Sequence, residues 1–311
     1  MIKFMKFMKF VVTGGAGFVG NNIVKLLVNE GHDVIVIDNL HTGKLKNLDG
    51  VLEKIKFYKI DIRNKNELEK VISNVDGIFH QAALTVVQES FTKQEEYFDV
   101  NVKGTENIFK IAKKYNIKVV FASSSSIYGD SKEIPIKENS PKNPINPYGE
   151  TKLQDEILAE KYSNEKVKII GLRYFNIFGK GQTISYAGVI TKFLKNIELK
   201  KSLIIYGNGD QIRDFIHVKD IAKANFTIMK SSIEKGFFNI GTGESNSINE
   251  LASIIIKISN HKEGISYLEP LNGDVKKSKA DTSLTKKTFN WNYSINLEEG
   301  LRGLMKTDVW I

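Results

Sequence analysis

The sequence predicts an α/β protein built on a doubly wound parallel sheet, with a smaller C-terminal lobe closing over the strand ends. Three observations carry that prediction: short runs that are apolar on both faces, amphipathic stretches alternating with them, and a glycine-rich turn after the first run. Strands buried on both faces belong to parallel sheets covered by helices on each side. Such sheets bind their ligands at the carboxyl ends of the strands.

The strand-like runs are Phe10–Thr13, Asp33–Ile37, Ile55–Ile60, Gly77–Phe79, Val119–Ala122 and Val167–Leu172. Amphipathic stretches between them include Asn21–Glu30, Asn66–Ser73, Gln94–Tyr115 and Pro147–Tyr162. After about Tyr174 the rhythm breaks, with turns at Gly179–Gly181, Gly207–Asp210 and Gly241–Gly243 separating short elements. The expected division is a first domain over residues 1–173 and a lobe over 174–311, some of whose segments pack back on the first domain. Pro135, Pro141, Pro144 and Pro147 stiffen the loop between Tyr128 and Tyr148.

Of 311 residues, 41% are hydrophobic and 26% charged, the composition of an ordinary globule rather than a disordered, collagenous or disulfide-held chain. The absence of cysteine removes thiolate nucleophiles, cysteine-ligated zinc and iron–sulfur clusters. No metal site is expected. No apolar run reaches the roughly 20 residues of a membrane span. The charges of Met1–Phe10 are too regularly spaced for a signal-peptide core, so a cytoplasmic location is expected. Met1, Met5 and Met8 are three possible starts, and residues 1–7 are expected to be dispensable. The net charge of +9 comes from scattered lysines, which read as a solvated surface rather than a nucleic-acid or membrane footprint. Only Arg63, Arg173, Arg213 and Arg302 are arginines, so each is informative.

Gly14-Gly-Ala-Gly-Phe-Val-Gly20 follows the first strand and opens a helix. Glycines at 14, 17 and 20 permit a tight turn, let backbone N–H groups approach a pyrophosphate, and let the helix pack close to the sheet, as in a Rossmann-like domain. Asp38 closes the second strand about where an acidic residue takes ribose hydroxyls. A carboxylate there repels a 2′-phosphate, and no arginine lies nearby in sequence, which favours NAD over NADP. Asp61, after the third strand, either bonds the adenine amine or caps a helix.

Tyr148-Gly-Glu-Thr-Lys152 places a phenol and an ammonium four residues apart on one helix face. A neighbouring ammonium stabilises a phenolate, making it a usable base for a sugar hydroxyl. Ser123–Ser126, at the end of the fifth strand, offers hydroxyls to the same place.

With these motifs stand Asp38-Asn39, Asp61-Ile-Arg63, His80-Gln-Ala-Ala83, Asn101–Thr105, Ser123–Gly129, Arg173-Tyr-Phe-Asn176, Arg213–Val218 and Asn239–Gly243. Together, in order from about Met8 to the C-terminus, they resemble the extended short-chain dehydrogenase/reductase family. Within it they are most similar to nucleotide-sugar 4-epimerases of the UDP-glucose and UDP-N-acetylglucosamine type. The resemblance implies NAD held by Gly14, Gly17, Phe18, Val19, Gly20, Asp38, Asn39, Asp61, Ile62, Ala82, Ala83, Asn101, Tyr148 and Lys152, with Asn101 also supporting the active-site helix. It implies a UDP-sugar contacted by Thr85, Ser124, Ser125, Tyr148, Asn176, Val189, Tyr206, Arg213, Asp274 and Ser278. Tyr148 would be the acid/base, Lys152 would tune it and Ser124 would bond the sugar O4. Arg213 would pair with the diphosphate, which a guanidinium fork suits. A homodimer through Gln94–Tyr115 and Pro147–Tyr162 is the implied assembly.

Relatives of this family share a 4-keto sugar intermediate and differ in its fate. Dehydratases carry an Asp-Glu pair, and decarboxylases a glutamate at the second position, where this chain has Ser125 and Ser126. Without that acid, epimerisation is the expected outcome. A reductase or decarboxylase, or a catalytically silent NAD-sensing regulator, are the alternatives. Ser278 stands where glucose-restricted relatives carry tyrosine, leaving room for an acetamido group. Leu271 stands where the family usually has an arginine, and Lys276 or Lys277 is a candidate replacement.

Overall fold

Alternate residues of each central strand enter two different cores, as expected of strands buried on both faces. The computed structural model describes residues 7–182 and 188–306; residues 1–6 of the expected dispensable stretch lie outside these. The first part runs β1 (Lys9–Thr13), α1 (Phe18–Asn29), β2 (Asp33–Ile37), β3 (Ile55–Tyr58), α2 (Lys65–Ile72), β4 (Gly77–His80), α3 (Val87–Ser90), α4 (Gln94–Tyr97), α5 (Gly104–Tyr115), β5 (Lys118–Ser124), α6 (Pro147–Asn164) and β6 (Ile169–Tyr174). Then come β7 (Asn176–Phe178), α7 (Val189–Glu198), β8 (Leu203–Tyr206), β9 (Ile212–Arg213), β10 (Phe215–His217), α8 (Val218–Lys230), β11 (Lys235–Ile240), β12 (Asn246–Ser247), α9 (Ile248–Ser259), β13 (Ile265–Leu268), β14 (Lys277–Ser278), α10 (Ser283–Phe289) and α11 (Leu297–Met305).

The main sheet has seven parallel strands in the order β11-β6-β5-β4-β1-β2-β3. Phe10 and Val12 of β1, Val34 and Val36 of β2, and Phe79 of β4 face Ile23, Val24 and Leu27 of α1 and Ile221 and Ile228 of α8. Val11, Ile35, Ile37 and Ile78 face the other way, onto Leu68 and Ile72 of α2, Ile108 and Phe109 of α5, and Ala159 and Tyr162 of α6. Burying an aliphatic side chain of this size is worth about 1.5–3 kcal/mol, so two continuous cores make the sheet the rigid part of the molecule. The strand order reverses between β1 and β4, and the crevice at their carboxyl ends is where such sheets bind ligands.

Three features differ from the sequence expectation. Gln94–Tyr115 is not one uniform helix: Phe98–Lys103 between α4 and α5 is π-helical. It surrounds the buried Asn101, whose side chain binds Leu84 and Thr151 rather than its own helix. The seventh strand, β11, comes from beyond Tyr174 and pairs with β6 from Lys235↔Ile169 to Ile240↔Tyr174. The predicted third run stops at Tyr58, and the buried Ile60 comes after it as loop.

The second lobe has a core of its own, gathering Ile190, Phe193 and Leu194 of α7, Leu203 and Ile205 of β8, Leu251 and Ile255 of α9, and Leu301 and Leu304 of α11. On its cavity side β9 pairs antiparallel with β12 and parallel with β14, setting Ser278 beside Arg213. Asp214 holds this arrangement: its buried carboxylate accepts from the backbone N–H groups of Thr242 (2.9 Å), Gly243 (2.9 Å) and Ala280 (3.2 Å). Among the described residues no helix is long and apolar enough to cross a membrane.

Candidate active site

Between the strand ends and the small β9 sheet lies a cavity of about 580 Å³. One end is the glycine turn. Gly14 has φ +65°, and a Cβ there would lie 2.7 Å from the Ala82 nitrogen. A Cβ on Gly20 would lie 2.0 Å from the Gly14 carbonyl oxygen. The chain can pass only as glycine at both positions, and α1 starts at Phe18 with Gly17 as a cap that has no side chain to bind its first N–H groups. Those donors point outward at the positive end of a helix dipole, a fit for a pyrophosphate. Gly20→Ala is therefore expected to weaken dinucleotide retention at least tenfold, of the order that a loss of about 1.4 kcal/mol produces. The check is the 260/280 nm absorbance ratio of the purified protein; a normal ratio would contradict it.

The turn is braced from below. Thr13 Oγ1 lies 2.6 Å from His80 Nδ1, and His80 Nε2 lies 2.9 Å from Thr105 Oγ1. The Ala82 N–H donates to Thr13 Oγ1 at 3.3 Å. Burial, with the Lys152 ammonium adding to it, pushes His80 down to about 3, so the imidazole is neutral and serves as a strut. Asp38 Oδ2 accepts from the Ala16 N–H (3.0 Å) and Oδ1 from the Leu40 N–H (2.8 Å), which fixes the carboxylate at the end of β2. Burial raises it, and the two backbone bonds pull the other way.

At the other end Asn146 caps α6 by accepting from the Gly149 N–H at 2.8 Å, and Pro147 occupies the first turn, where a missing N–H costs nothing. A Cβ on Gly149 would lie 2.7 Å from the Ser126 carbonyl oxygen. The helix thus presses against the turn after β5, bringing Tyr148 and Lys152 into one cavity with Ser123, Ser124, Ser125 and Ser126. Lys152 Nζ donates to Ala122 O (3.1 Å) and to Asp155 Oδ2 (3.0 Å). Ser124 Oγ bonds Ser126 Oγ at 3.1 Å.

The cavity collects Gly14, Gly17, Phe18, Val19, Gly20, Asp38, Asn39, Ile62, Ala82, Ala83, Thr85, Ser124, Ser125, Tyr148, Lys152, Asn176, Arg213, Asp274 and Ser278 from the expected set. Arg213 is nearly buried and ion-paired to Asp274 at 2.6 Å. Four expected residues are not on the wall. Asp61 is tied to Arg63 by two bonds, at 2.9 and 2.8 Å, and accepts from Asn39 Nδ2 at 3.0 Å. The Arg63 bonds hold its carboxyl well below the usual range, and it positions its two partners, both of which do line the cavity. Asn101 lies beneath the site, linking Leu84 to Thr151 of α6. Val189 turns into the core of the second lobe. Tyr206 is half-buried away from the wall. Neither Lys276 nor Lys277 reaches the cavity: both are exposed, while Leu271 lines it. Besides Lys152, the lysine that lines the cavity is Lys192 of α7. Sequence reading missed it, together with Arg63, His41, Gln81 and Phe175. Arg63 and Phe175 sit inside recognised motifs and were findable; Lys192 carried no local signal.

Fold and site together define a dinucleotide-binding α/β protein whose cavity brings a tyrosine, a lysine and a run of serines together at a strand end. Residues 10–241 match the NAD dependent epimerase/dehydratase family. The chain belongs to that family, and NAD is its cofactor. It is 33% identical over 306 residues to a UDP-glucose 4-epimerase of Lactobacillus helveticus, covering 91% of this chain and 92% of that one. It is 30% identical over 310 residues to a UDP-N-acetyl-alpha-D-glucosaminuronate decarboxylase of Bacillus cytotoxicus, covering 94% and 95%. Its structure superposes, with a TM-score of 0.92 and 37% identity over 97% of this chain and 98% of the other, on a UDP-N-acetylglucosamine 4-epimerase of Methanobrevibacter ruminantium solved with UDP-N-acetylmuramic acid.

Proposed function

We propose that the protein is a UDP-sugar 4-epimerase. The observation that carries this reading is one cavity holding Tyr148, Lys152 and Ser124 at the sheet and Arg213 with Ser278 on the facing strands, with serines at positions 125 and 126. NAD, when bound, supplies reversible hydride acceptance at the sugar C4. The Tyr148 phenolate takes the O4 proton and returns it. Ser124 holds O4 in line, and the Lys152 charge stabilises the phenolate. Arg213, released from Asp274, grips the diphosphate, and Lys192 stands on the same side of the cavity as a second cation. Serines at 125 and 126 offer no acid for eliminating water or assisting loss of carbon dioxide, so the fate left to the 4-keto sugar is to turn over in the cavity and be reduced at C4 on its opposite face, with Tyr148 returning the proton to O4. Two copies pair through the helices that carry the exposed Ile157 and, beside α5, the exposed Phe98.

The test is to incubate the protein with UDP-Glc, UDP-Gal, UDP-GlcNAc and UDP-GalNAc, and with a UDP-uronic acid, and to resolve the products. C4 interconversion is expected; carbon dioxide release from the uronic acid without interconversion would replace this reading with a decarboxylase. Ser278 is buried beside Arg213, and its small side chain leaves space for an N-acetyl group. Ser278→Tyr is expected to lower kcat/KM for the N-acetylated pair at least tenfold, the loss of about 1.4 kcal/mol that a modest clash brings, and to spare the other pair. Equal losses for both pairs would remove Ser278 from the substrate site.

A further inference from the structure

The mechanism above uses Lys152 but leaves its buried neighbour unexplained. Asp155 lies one helical turn on, fully buried, with Oδ2 at 3.0 Å from Lys152 Nζ. Lys152 is itself almost wholly enclosed, and among the described residues Asp155 is the one carboxylate within ion-pair distance of it. Asp155 Oδ1 faces only the Thr105 hydroxyl, which also lies 2.9 Å from His80 Nε2. An ammonium and a carboxylate placed out of water are each costly alone. The pair therefore makes sense only if each member keeps the other charged.

We infer that Asp155 is a positioning residue that holds Lys152 as an ammonium and directs it at Tyr148. Two of the three Nζ donors are spent, on Ala122 O and Asp155 Oδ2, which leaves one for the cavity that both Lys152 and Tyr148 line. The other charges around the pair are accounted for. Glu156 on the same helix is paired with Arg173 of β6 at 2.8 Å and with Lys142 at 3.3 Å, His80 of β4 is neutral, and α5 contributes only the Thr105 hydroxyl. Burial raises the Asp155 carboxyl, while the Lys152 ammonium 3.0 Å away opposes the rise and favours the ionised form. Without it, a buried amine escapes the desolvation penalty by giving up its proton. A neutral amine still donates a hydrogen bond to a ribose but exerts no field on the phenol.

This inference rests on the epimerase reading for its meaning but not for its test. The test is Asp155→Asn in the NAD-loaded protein, with tyrosinate absorbance at 295 nm measured against pH, taken as the difference from the Tyr148→Phe background. The midpoint is expected to rise by at least about one unit, and kcat near neutral pH to fall about tenfold or more, since one unit is a factor of ten in the ionised fraction. The acid limb of the rate profile should move by the same amount, with KM and bound NAD unchanged. An unmoved midpoint, or a uniform loss at every pH together with lost NAD, overturns the inference. Should the variant not fold, the proton-detected ¹⁵N signal of the Lys152 side chain in the unmodified protein decides. A protected ammonium persisting above pH 9 supports the assignment, and a neutral amine overturns it. A protein that converts no UDP-sugar yet shows the absorbance shift would refute the epimerase reading alone.

Discussion

Replacing Tyr148 by phenylalanine is expected to abolish turnover while the protein keeps its NAD. In the proposed mechanism the phenol oxygen is the one group of the site that exchanges a proton with the sugar, and a positioned acid/base contributes about 10²–10⁴-fold. A thousandfold loss corresponds to about 4 kcal/mol of transition-state stabilisation. Phenylalanine keeps the ring and leaves the helix cap at Asn146 and the Lys152 bonds to Ala122 and Asp155 untouched. Binding should therefore survive: KM within about threefold, NAD content normal, kcat down by about 10³. Turnover within tenfold of the unmodified protein would mean that another group is the base.

The second large effect is on stability and lies behind the site. Arg173 of β6 is 1% exposed and donates to Glu156 of α6 through Nε and Nη2, both at 2.8 Å. Its third contact set, Nη1 to Tyr128 Oη and Glu138 O at 2.7 Å each, ties in the loop before α6. Ser123 Oγ, at the end of β5, also donates to Glu156, at 2.7 Å. Removing one partner of a buried pair leaves the other charge uncompensated, at about 3–5 kcal/mol. Glu156→Ala should thus lower unfolding free energy in urea by about that amount. It should cut activity as well, because the helix that loses its anchor carries Tyr148 and Lys152. Glu156→Leu combined with Arg173→Leu should be less damaging than the sum of the single changes, since the double variant removes both buried charges and leaves only the part-exposed Lys142, 3.3 Å from Glu156, without its partner. A loss below about 1 kcal/mol for Glu156→Ala would show that water reaches the pair.

How much could be read from the sequence depends on how local each requirement is. β1, β2, β4 and β5 are unbroken apolar runs because both faces are buried, and burial is written directly into residue type. The glycine turn is legible because the need for glycine is set within a few residues, by contacts such as Gly20 against Gly14. β11 was not assigned to the sheet, because nothing in Lys235–Ile240 says which edge it will join. The two-residue strands β9, β12 and β14 are too short to show any period, yet they set Ser278 beside Arg213. The strut of Thr13, His80 and Thr105 and the Lys152–Asp155 pair were hidden for a related reason. Each is a set of single polar residues whose partnership only the fold reveals. Gly188 lines the cavity while the adjacent Val189 turns into the core of the second lobe, and Tyr206 lies off the wall, differences in direction that residue type alone does not show.

The seventh strand also bears on what this polypeptide can be divided into. Because β11 covers the outer side of β6, a fragment ending near Arg173 would present a long, flat row of unpaired amides and carbonyls, a template for sticking to other copies. The segment that closes the sheet leaves the catalytic half, builds the wall that holds Arg213, and then returns. Neither half is a transplantable module: a recombination event or an engineer's fusion that exchanges the sugar-facing part must carry the edge strand with it or inherit an aggregating sheet.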